Sequence, residues 1–402
     1  MESGMTVAIV GATLLGVALG RWPGIRADRA TICLIGAAAL LASGVLTLEQ
    51  AFAGIDLATI TLLFSMMVLN SRLQLAGGFG LVSRGLVRIV RGPRTLLAAI
   101  IGLAGALAAL LVNDTAVVML TPLVLDLTRR LQRHAIPYLI GLATAANVGS
   151  VATFTGNPQN MLIGSASGLT YAGFTATLAP VALLGLVSCW AVIIVLWRDE
   201  FRAVRFVMPE PARSIILPRE LRKALLVTAA LSVAFWLGVP IAGAALIAAG
   251  ALLFTRRLNP VRTYRLIDWN LLVFFCGLFV VVHALEVAGV TEHIVRLLEP
   301  LTRHGLVAFG MVVAVVSNLI SNVPAVMVFL DVVPALDDPA RGWRVLAAAS
   351  TLAGNLTLLG SVANLIVAEI AARHGVTLSF RAYLRAGLPI TVLTLALALL
   401  WL

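Results

Sequence analysis

Long apolar runs, each closed by arginine, glycine or proline, divide the chain from end to end. A hydrocarbon core ~30 Å thick is crossed by about 20 apolar residues in helical form. By that measure the runs predict ten spans. They lie at roughly Met5–Gly20, Ala30–Leu46, Leu57–Ala76, Ile136–Ser165 and Thr175–Leu196, then Ala224–Leu237, Ile241–Phe254, Leu271–Val290, Trp343–Arg373 and Ala382–Leu402. Two further long runs are Thr95–Leu127, too short for two full spans, and Leu306–Leu330. No stretch shows the alternating ten-residue pattern of a membrane barrel.

The arginines orient these elements, because basic residues collect in short cytoplasmic loops. Arg21, Arg26 and Arg29 place the first loop inside, and "TLEQAFAGID", which has no basic residue, fits the outside. The run Thr95–Leu127 carries Arg84, Arg88, Arg91 and Arg94 before it and Arg129, Arg130 and Arg133 after it. It therefore enters and leaves on one side, as a re-entrant hairpin with "VNDT" at its tip. Around the second run, Arg296, Arg303, Arg341 and Arg344 face Glu292, Glu299, Asp331, Asp337 and Asp338, an external signature. The second hairpin thus enters from the opposite face. The expectation is a multi-pass protein of the inner membrane, surrounded by lipid, with both termini outside and a cytoplasmic linker at 198–223.

Composition agrees: 60% of the 402 residues are hydrophobic and 12% charged, and mean hydropathy is +1.03. The net charge of +11 sits at span ends, so nucleic acid is not a partner. Met5–Gly20 reads as the first span rather than a cleaved leader. Cys33, Cys189 and Cys276 lie in apolar stretches without metal-ligand spacing. No HExxH, GxSxG or membrane-depth pair of catalytic aspartates is present, so the chain is not expected to be an enzyme, and no cofactor is called for. There is no nucleotide-binding loop either, which leaves an ion gradient, sodium or proton, as the energy source.

Self-similarity organises the rest. "IDLATITLLF" at 55–64 returns as "IDWNLLVFFC" at 267–276, "NDTAVVML" at 113–120 as "NVPAVMVF" at 322–329, and "TFTGNPQNMLIG" at 153–164 as "TLLGSVANLIVA" at 357–368. With opposite starting sides, this is an inverted duplication. An N-terminal repeat covers 1–197, with its hairpin at about 95–127 and a broken helix at about 136–165. A C-terminal repeat covers 224–402, with hairpin 306–335 and broken helix 343–373. Gly156 and Pro158 break the first helix and Gly360 the second.

A broken helix frees carbonyls at one stump and N–H groups at the other, so it can serve a cation and an anion. Candidate substrate contacts are Asn113, Thr115, Asn157, Asn160, Ser321, Asn322, Ser361 and Asn364. Candidate ion-coupling positions are Asp114, Asn113, Thr153, Gly156, Thr357 and Gly360. Sodium could lie at Asn113, Asp114 and Gly156, and again at Asn322 and Gly360. Asp114 has a plainer alternative as a cap on the helix that follows. His283 and Glu286, three apart, read as a local pair at the external interface. Arg72 is expected to snorkel, Glu369 to reach the cytoplasmic end, and "VSRGLVRIVRG" at 82–92 to form an interfacial helix.

These segments resemble the ion transporter superfamily: divalent anion/sodium symporters, citrate permeases, arsenite permeases and broad-range sodium/proton antiporters. The resemblance rests on "NDTAVVMLTP" with "GNPQNMLIG" and spans nearly the whole chain. It implies an all-α fold with a scaffold domain, a transport domain bearing both hairpins, an elevator-like cycle and a homodimer. Dicarboxylate members carry Ser-Asn-Thr at both tips, whereas this chain has Asn113-Asp114-Thr115 and Ser321-Asn322-Val323. "NVP" resembles the arsenite-permease and antiporter branches. The expected substrate is a small anion or oxyacid; the alternatives are arsenite or antimonite efflux, where a separate ATPase subunit can be a partner, and sodium/proton exchange. An ion channel is disfavoured, because an inverted repeat within one chain suits alternating access.

Overall fold

The computed structural model describes residues 2–19, 27–78, 80–82, 85, 90–202, 206, 216–290 and 305–402. Most of the helix expected at 82–92, the arginines at 21, 26, 84, 88, 296 and 303, the glutamates at 292 and 299, and positions 203–205 and 207–215 of the 198–223 linker lie outside these residues.

Among the described residues regular structure is helical throughout. In the first half lie α1 (Glu2–Leu19), α2 (Arg29–Ala42), α3 (Leu48–Ala53), α4 (Leu57–Leu75), α5 (Pro93–Leu110), α6 (Asn113–Arg130), α7 (Ala135–Ser150), α8 (Pro158–Ala166) and α9 (Tyr171–Leu196). The second half holds α10 (Pro218–Trp236), α11 (Ile241–Leu253), α12 (Pro260–Tyr264), α13 (Trp269–Val287), α14 (Leu306–Ile320), α15 (Asn322–Phe329), α16 (Pro339–Ala353), α17 (Val362–Arg373) and α18 (Phe380–Trp401). Five of them, α4, α5, α9, α13 and α18, are long and apolar enough to cross a membrane alone. Side chains such as Ile247, Leu237, Val187 and Leu400 stand largely exposed, an arrangement that hydrocarbon tolerates and water penalises.

Local chemistry explains where the helices start. Proline opens α5, α8, α10, α12 and α16, a position where its missing N–H costs nothing. Asp56 accepts from the Ala58 and Thr59 N–H groups at 2.9 and 3.2 Å to cap α4, and Asp268 accepts from Leu271 N at 3.0 Å to cap α13. The two "ID" segments of the repeat thus carry the same cap.

The tertiary packing repeats with the sequence. Helix α4 packs on α11 of the other half, and its equivalent α13 packs on α2. The pair α5 and α7 corresponds to α14 and α16, and the pair α1 and α2 to α10 and α11. Helices α9 and α18 pack on each other. There Trp401 Nε1 donates to the Thr177 carbonyl at 3.0 Å and Arg385 Nη2 to the Leu196 carbonyl at 3.4 Å, so the end of each helix lies beside the start of the other. Equivalent helices that pack antiparallel are related by a two-fold axis perpendicular to them. The duplication is therefore inverted, and its axis lies in the membrane plane.

Arg72 departs from expectation. Its side chain does not snorkel but is buried, 2% exposed, with Nη1 donating to the Leu258 carbonyl at 3.5 Å. Helices α10, α11 and α12 all pack against α4, closing the route to the interface that a long side chain would otherwise take.

Candidate functional site

Each repeat interrupts its helices twice. Between α5 and α6 the chain turns through Leu111 and Val112, and Asn113 begins α6. Between α14 and α15 a single residue, Ser321, makes the turn with φ +79° and ψ 156°. That region belongs almost wholly to glycine and costs a side chain of order 1–3 kcal/mol. Removing the side chain relieves the strain. Ser321→Gly is expected to raise the thermal midpoint of the purified protein and Ser321→Val to lower it; a fall with glycine would show the turn to be unstrained.

The third and fourth interruptions lie within the former spans. After α7 the chain passes through a 3-10 turn, Phe154–Gly156, and extended Asn157 before α8 begins. After α16 it runs irregularly from Gly354 to Ser361, where α17 begins. Both breaks are braced alike. Asn160 Nδ2 donates to the carbonyls of Ser150 (3.1 Å) and Thr153 (3.0 Å). Asn364 Nδ2 donates to those of Gly354 (2.9 Å) and Thr357 (3.1 Å). Glycine is required at both closures: a Cβ on Gly156 would meet Ser150 O at 2.2 Å, and one on Gly360 would meet Gly354 O at 2.8 Å.

All four interruptions converge on one cavity of about 490 Å³. Asn113 and Asp114 line it from the first tip, Ser321, Asn322 and Val323 from the second. Pro158 and Gln159 contribute from the first break, and Leu359, Ser361 and Val362 from the second. The cavity extends to the N-terminal ends of α2 and α13, where Asp28, Arg29, Asp268 and Asn270 complete it together with Glu369 of α17. Asp28 receives the Thr31 N–H at 2.9 Å and hydroxyl at 2.7 Å, and Asn270 Nδ2 at 2.8 Å. Those bonds, the Thr31 N–H first, hold its carboxyl below the usual carboxylate range despite partial burial.

The candidate residues divide into two sets. Asn113, Asp114, Ser321, Asn322 and Ser361 line the cavity. Thr153, Gly156, Asn157, Asn160, Thr357, Gly360 and Asn364 stand behind it and hold the breaks. Asn157, for instance, is fully buried, donating to Ser150 Oγ at 2.8 Å and accepting from Asn160 N at 2.8 Å. Thr115 faces elsewhere, its hydroxyl accepting from Asn70 Nδ2 of α4 at 3.0 Å. For a hard cation the donor set offers one clear feature: Asn322 is a lining residue 7% exposed, and its buried amide oxygen has no hydrogen-bond partner among the described residues, a donor type that suits sodium.

Asp114 is not a cap. Val112 holds that position without a side-chain bond, and the Asp114 N–H is itself satisfied by Asn113 Oδ1 at 2.9 Å. His283 and Glu286 do pair, at 2.9 Å, with the imidazole packed over Gly54 and remote from the cavity. Glu369 bonds Arg373 at 2.5 Å while contributing to the lining.

Known proteins resemble this chain in sequence and in fold. The citrate transporter family model matches residues 14–353. A silicon efflux transporter of Oryza sativa subsp. japonica is 30% identical across 94% of this chain and 93% of its own length. An uncharacterized transporter of Mycobacterium tuberculosis is 30% identical across 94% of each. Among solved structures, the YdaH transporter of Alcanivorax borkumensis superposes with a TM-score of 0.61 at 14% identity, covering 99% of this chain and 96% of that one, which is a likeness of fold. With the inverted repeat and the four interruptions around one cavity, these matches place the chain in the citrate transporter family of the ion transporter superfamily, as a multi-pass membrane transporter.

Proposed function

We propose that the protein is a secondary active transporter of the inner membrane that moves a small oxyacid, coupled to sodium or protons, by elevator-like alternating access. The carrying observation is the convergence of two hairpin tips and two helix breaks on a single cavity. Non-helical backbone at membrane depth is stable only where protein or water surrounds it, and here it frames a space the size of a small solute. Helices α5–α9 and α14–α18 would travel as the transport domain, and α1–α4 with α10–α13 would form the scaffold. With the arginine-rich loops on the cytoplasmic side, the cavity mouth at Asp28, Arg29 and Asp268 faces the cytoplasm.

Charge narrows the solute. Four carboxylates, Asp28, Asp114, Asp268 and Glu369, share the lining with one guanidinium, Arg29. A citrate-like polyanion meets repulsion there unless several cations accompany it, whereas a weak oxyacid that is uncharged at neutral pH meets hydroxyl and amide partners without that penalty. The replacement of Ser-Asn-Thr by Asn113-Asp114-Thr115 and Ser321-Asn322-Val323 points the same way, as does the silicon efflux named for the rice relative.

The test is flux in proteoliposomes, with arsenous acid, orthosilicic acid and citrate offered under sodium or pH gradients. Gradient-dependent movement of an uncharged oxyacid, uncompeted by citrate, is the expected result. Citrate-driven flux overturns the charge argument. Sodium/proton exchange without any solute would make the protein an antiporter, and single-channel currents would remove alternating access.

A further inference from the structure

Asn147 lies on α7, one turn before its end, and is 1% exposed. It does not line the cavity, yet it joins more of the site than any residue that does. Its Oδ1 accepts from Asn113 Nδ2 of the first tip at 3.1 Å and from Ser361 Oγ of the second break at 3.0 Å. Its Nδ2 donates to Asn355 Oδ1 at 2.9 Å and to Asn364 Oδ1 at 3.1 Å. An asparagine amide offers two acceptor sites and two donors, and here all four are taken, three of them by the other repeat.

The inverted axis gives this arrangement a counterpart. The position equivalent to Asn147 is Thr351 on α16. It accepts from Asn157 Nδ2 at 3.3 Å and Gln159 Nε2 at 3.2 Å, both from the first break. Each broken helix is therefore bonded to the break of the opposite repeat. The two cross-ties are unequal, because a hydroxyl has fewer positions than an amide and these two bonds are longer. Asn355 strengthens the Asn147 side further by donating to the Thr144 carbonyl at 3.2 Å.

We propose that Asn147 is a positioning residue that makes the first hairpin tip and the second break one mechanical unit, so that occupancy at one half-site sets the geometry of the other. Any displacement of Asn113 toward a ligand pulls on Oδ1. The same planar amide then moves against Asn355, Ser361 and Asn364. In the transporter reading, on which the functional half of this inference rests, that motion links binding of the coupling cation to binding of the solute. Such linkage is reciprocal: each ligand tightens the other by the same factor.

Asn147→Thr gives the position the residue its counterpart carries, and Ser361→Ala removes one cross-tie at a smaller side chain. Amide hydrogen exchange of the purified protein is read first. Both variants are expected to speed exchange at 354–361, and Asn147→Thr also at 112–116, by about tenfold, with α2 and α11 unchanged. Binding of arsenous acid is then measured with and without sodium. The wild type is expected to show a coupling factor in the usual range of about 5–150, and Asn147→Thr one near unity, with solute affinity in the absence of sodium retained. A merely structural residue would lower stability and leave the coupling factor intact. Unchanged exchange at 354–361 in both variants, or undiminished coupling in Asn147→Thr, overturns the proposal. If the wild type binds no arsenous acid, the oxyacid reading fails, and the exchange measurement alone decides whether Asn147 ties the half-sites together.

Discussion

Asp114→Asn is expected to leave the fold in place and to cut gradient-driven solute flux by at least about tenfold, the loss set by one charge-assisted contact of about 1.5–3 kcal/mol. The carboxylate is spare in structural terms. Helix α6 starts after Val112 with no side-chain cap, and no hydrogen bond from a described residue reaches the Asp114 oxygens, while its own N–H is held by Asn113 Oδ1. What remains is a partly buried negative charge in the first turn of a helix, where the helix dipole favours it by about 0.3–1 kcal/mol. It lines a cavity to whose wall Asn322 also belongs. A carboxylate kept at that depth with no hydrogen bond from a described residue, its cavity shared with the Arg29 guanidinium, is explained by an ion that visits it. The amide replacement has the same size, so thermal unfolding should move little while flux falls. Undiminished sodium- or proton-dependence of flux in the variant would assign the coupling ion to another group.

Much of the fold is legible in the chain because the bilayer simplifies the code. Apolar runs must cross or return, and arginines mark where they end. The repeat followed from three quoted segment pairs, and each pair lands on equivalent structure: capped α4 and α13, tips at Asn113 and Asn322, breaks at Gly156 and Gly360. Cross-packing was not legible. No periodicity states that α4 packs on α11 of the other half, since lipid-facing and partner-facing sides are equally apolar.

At the site, the tips were readable because consecutive polar residues inside an apolar run demand a reason. Asn147 escaped notice for the opposite reason. In "TAANVGS" it is one asparagine among small residues, a pattern that also suits simple helix packing. The available signal was its alignment with Thr351 in the second repeat, a polar residue at the same depth in both halves. Thr115 shows the limit from the other side. It belongs to the tip motif, but helical geometry turns it 100° away from Asp114 toward Asn70 of α4. Arg72 failed as a snorkelling residue because the reach of a side chain can be read from sequence, while the helices that block it cannot.

The largest steric effect is expected at the crossing of α5 and α7, the arm of the first hairpin against the first half of the broken helix. A Cβ on Gly149 would lie 2.3 Å from both the Cα and the carbonyl oxygen of Gly105, so backbone meets backbone and no side chain can turn aside. Overpacking of this kind costs about 1–3 kcal/mol and moves main chain. Movement there matters because Gly149 follows Asn147 by two residues and α5 carries the tip at Asn113, whose bond to Asn147 is already 3.1 Å. Gly149→Ala is therefore expected to abolish measurable flux and lower the thermal midpoint together. Gly102→Ala, about one turn away on α5 where nothing lies within 4 Å of the added carbon, should preserve both, because alanine is the better helix former by about 1 kcal/mol. Gly105→Ala falls between them, since the atoms nearest its Cβ would belong to the Leu186 side chain, the first at 2.6 Å, which can shift. Equal loss in all three variants would mean that the arm tolerates no substitution at all, and that close approach of the two backbones is not what sets the tip against the break.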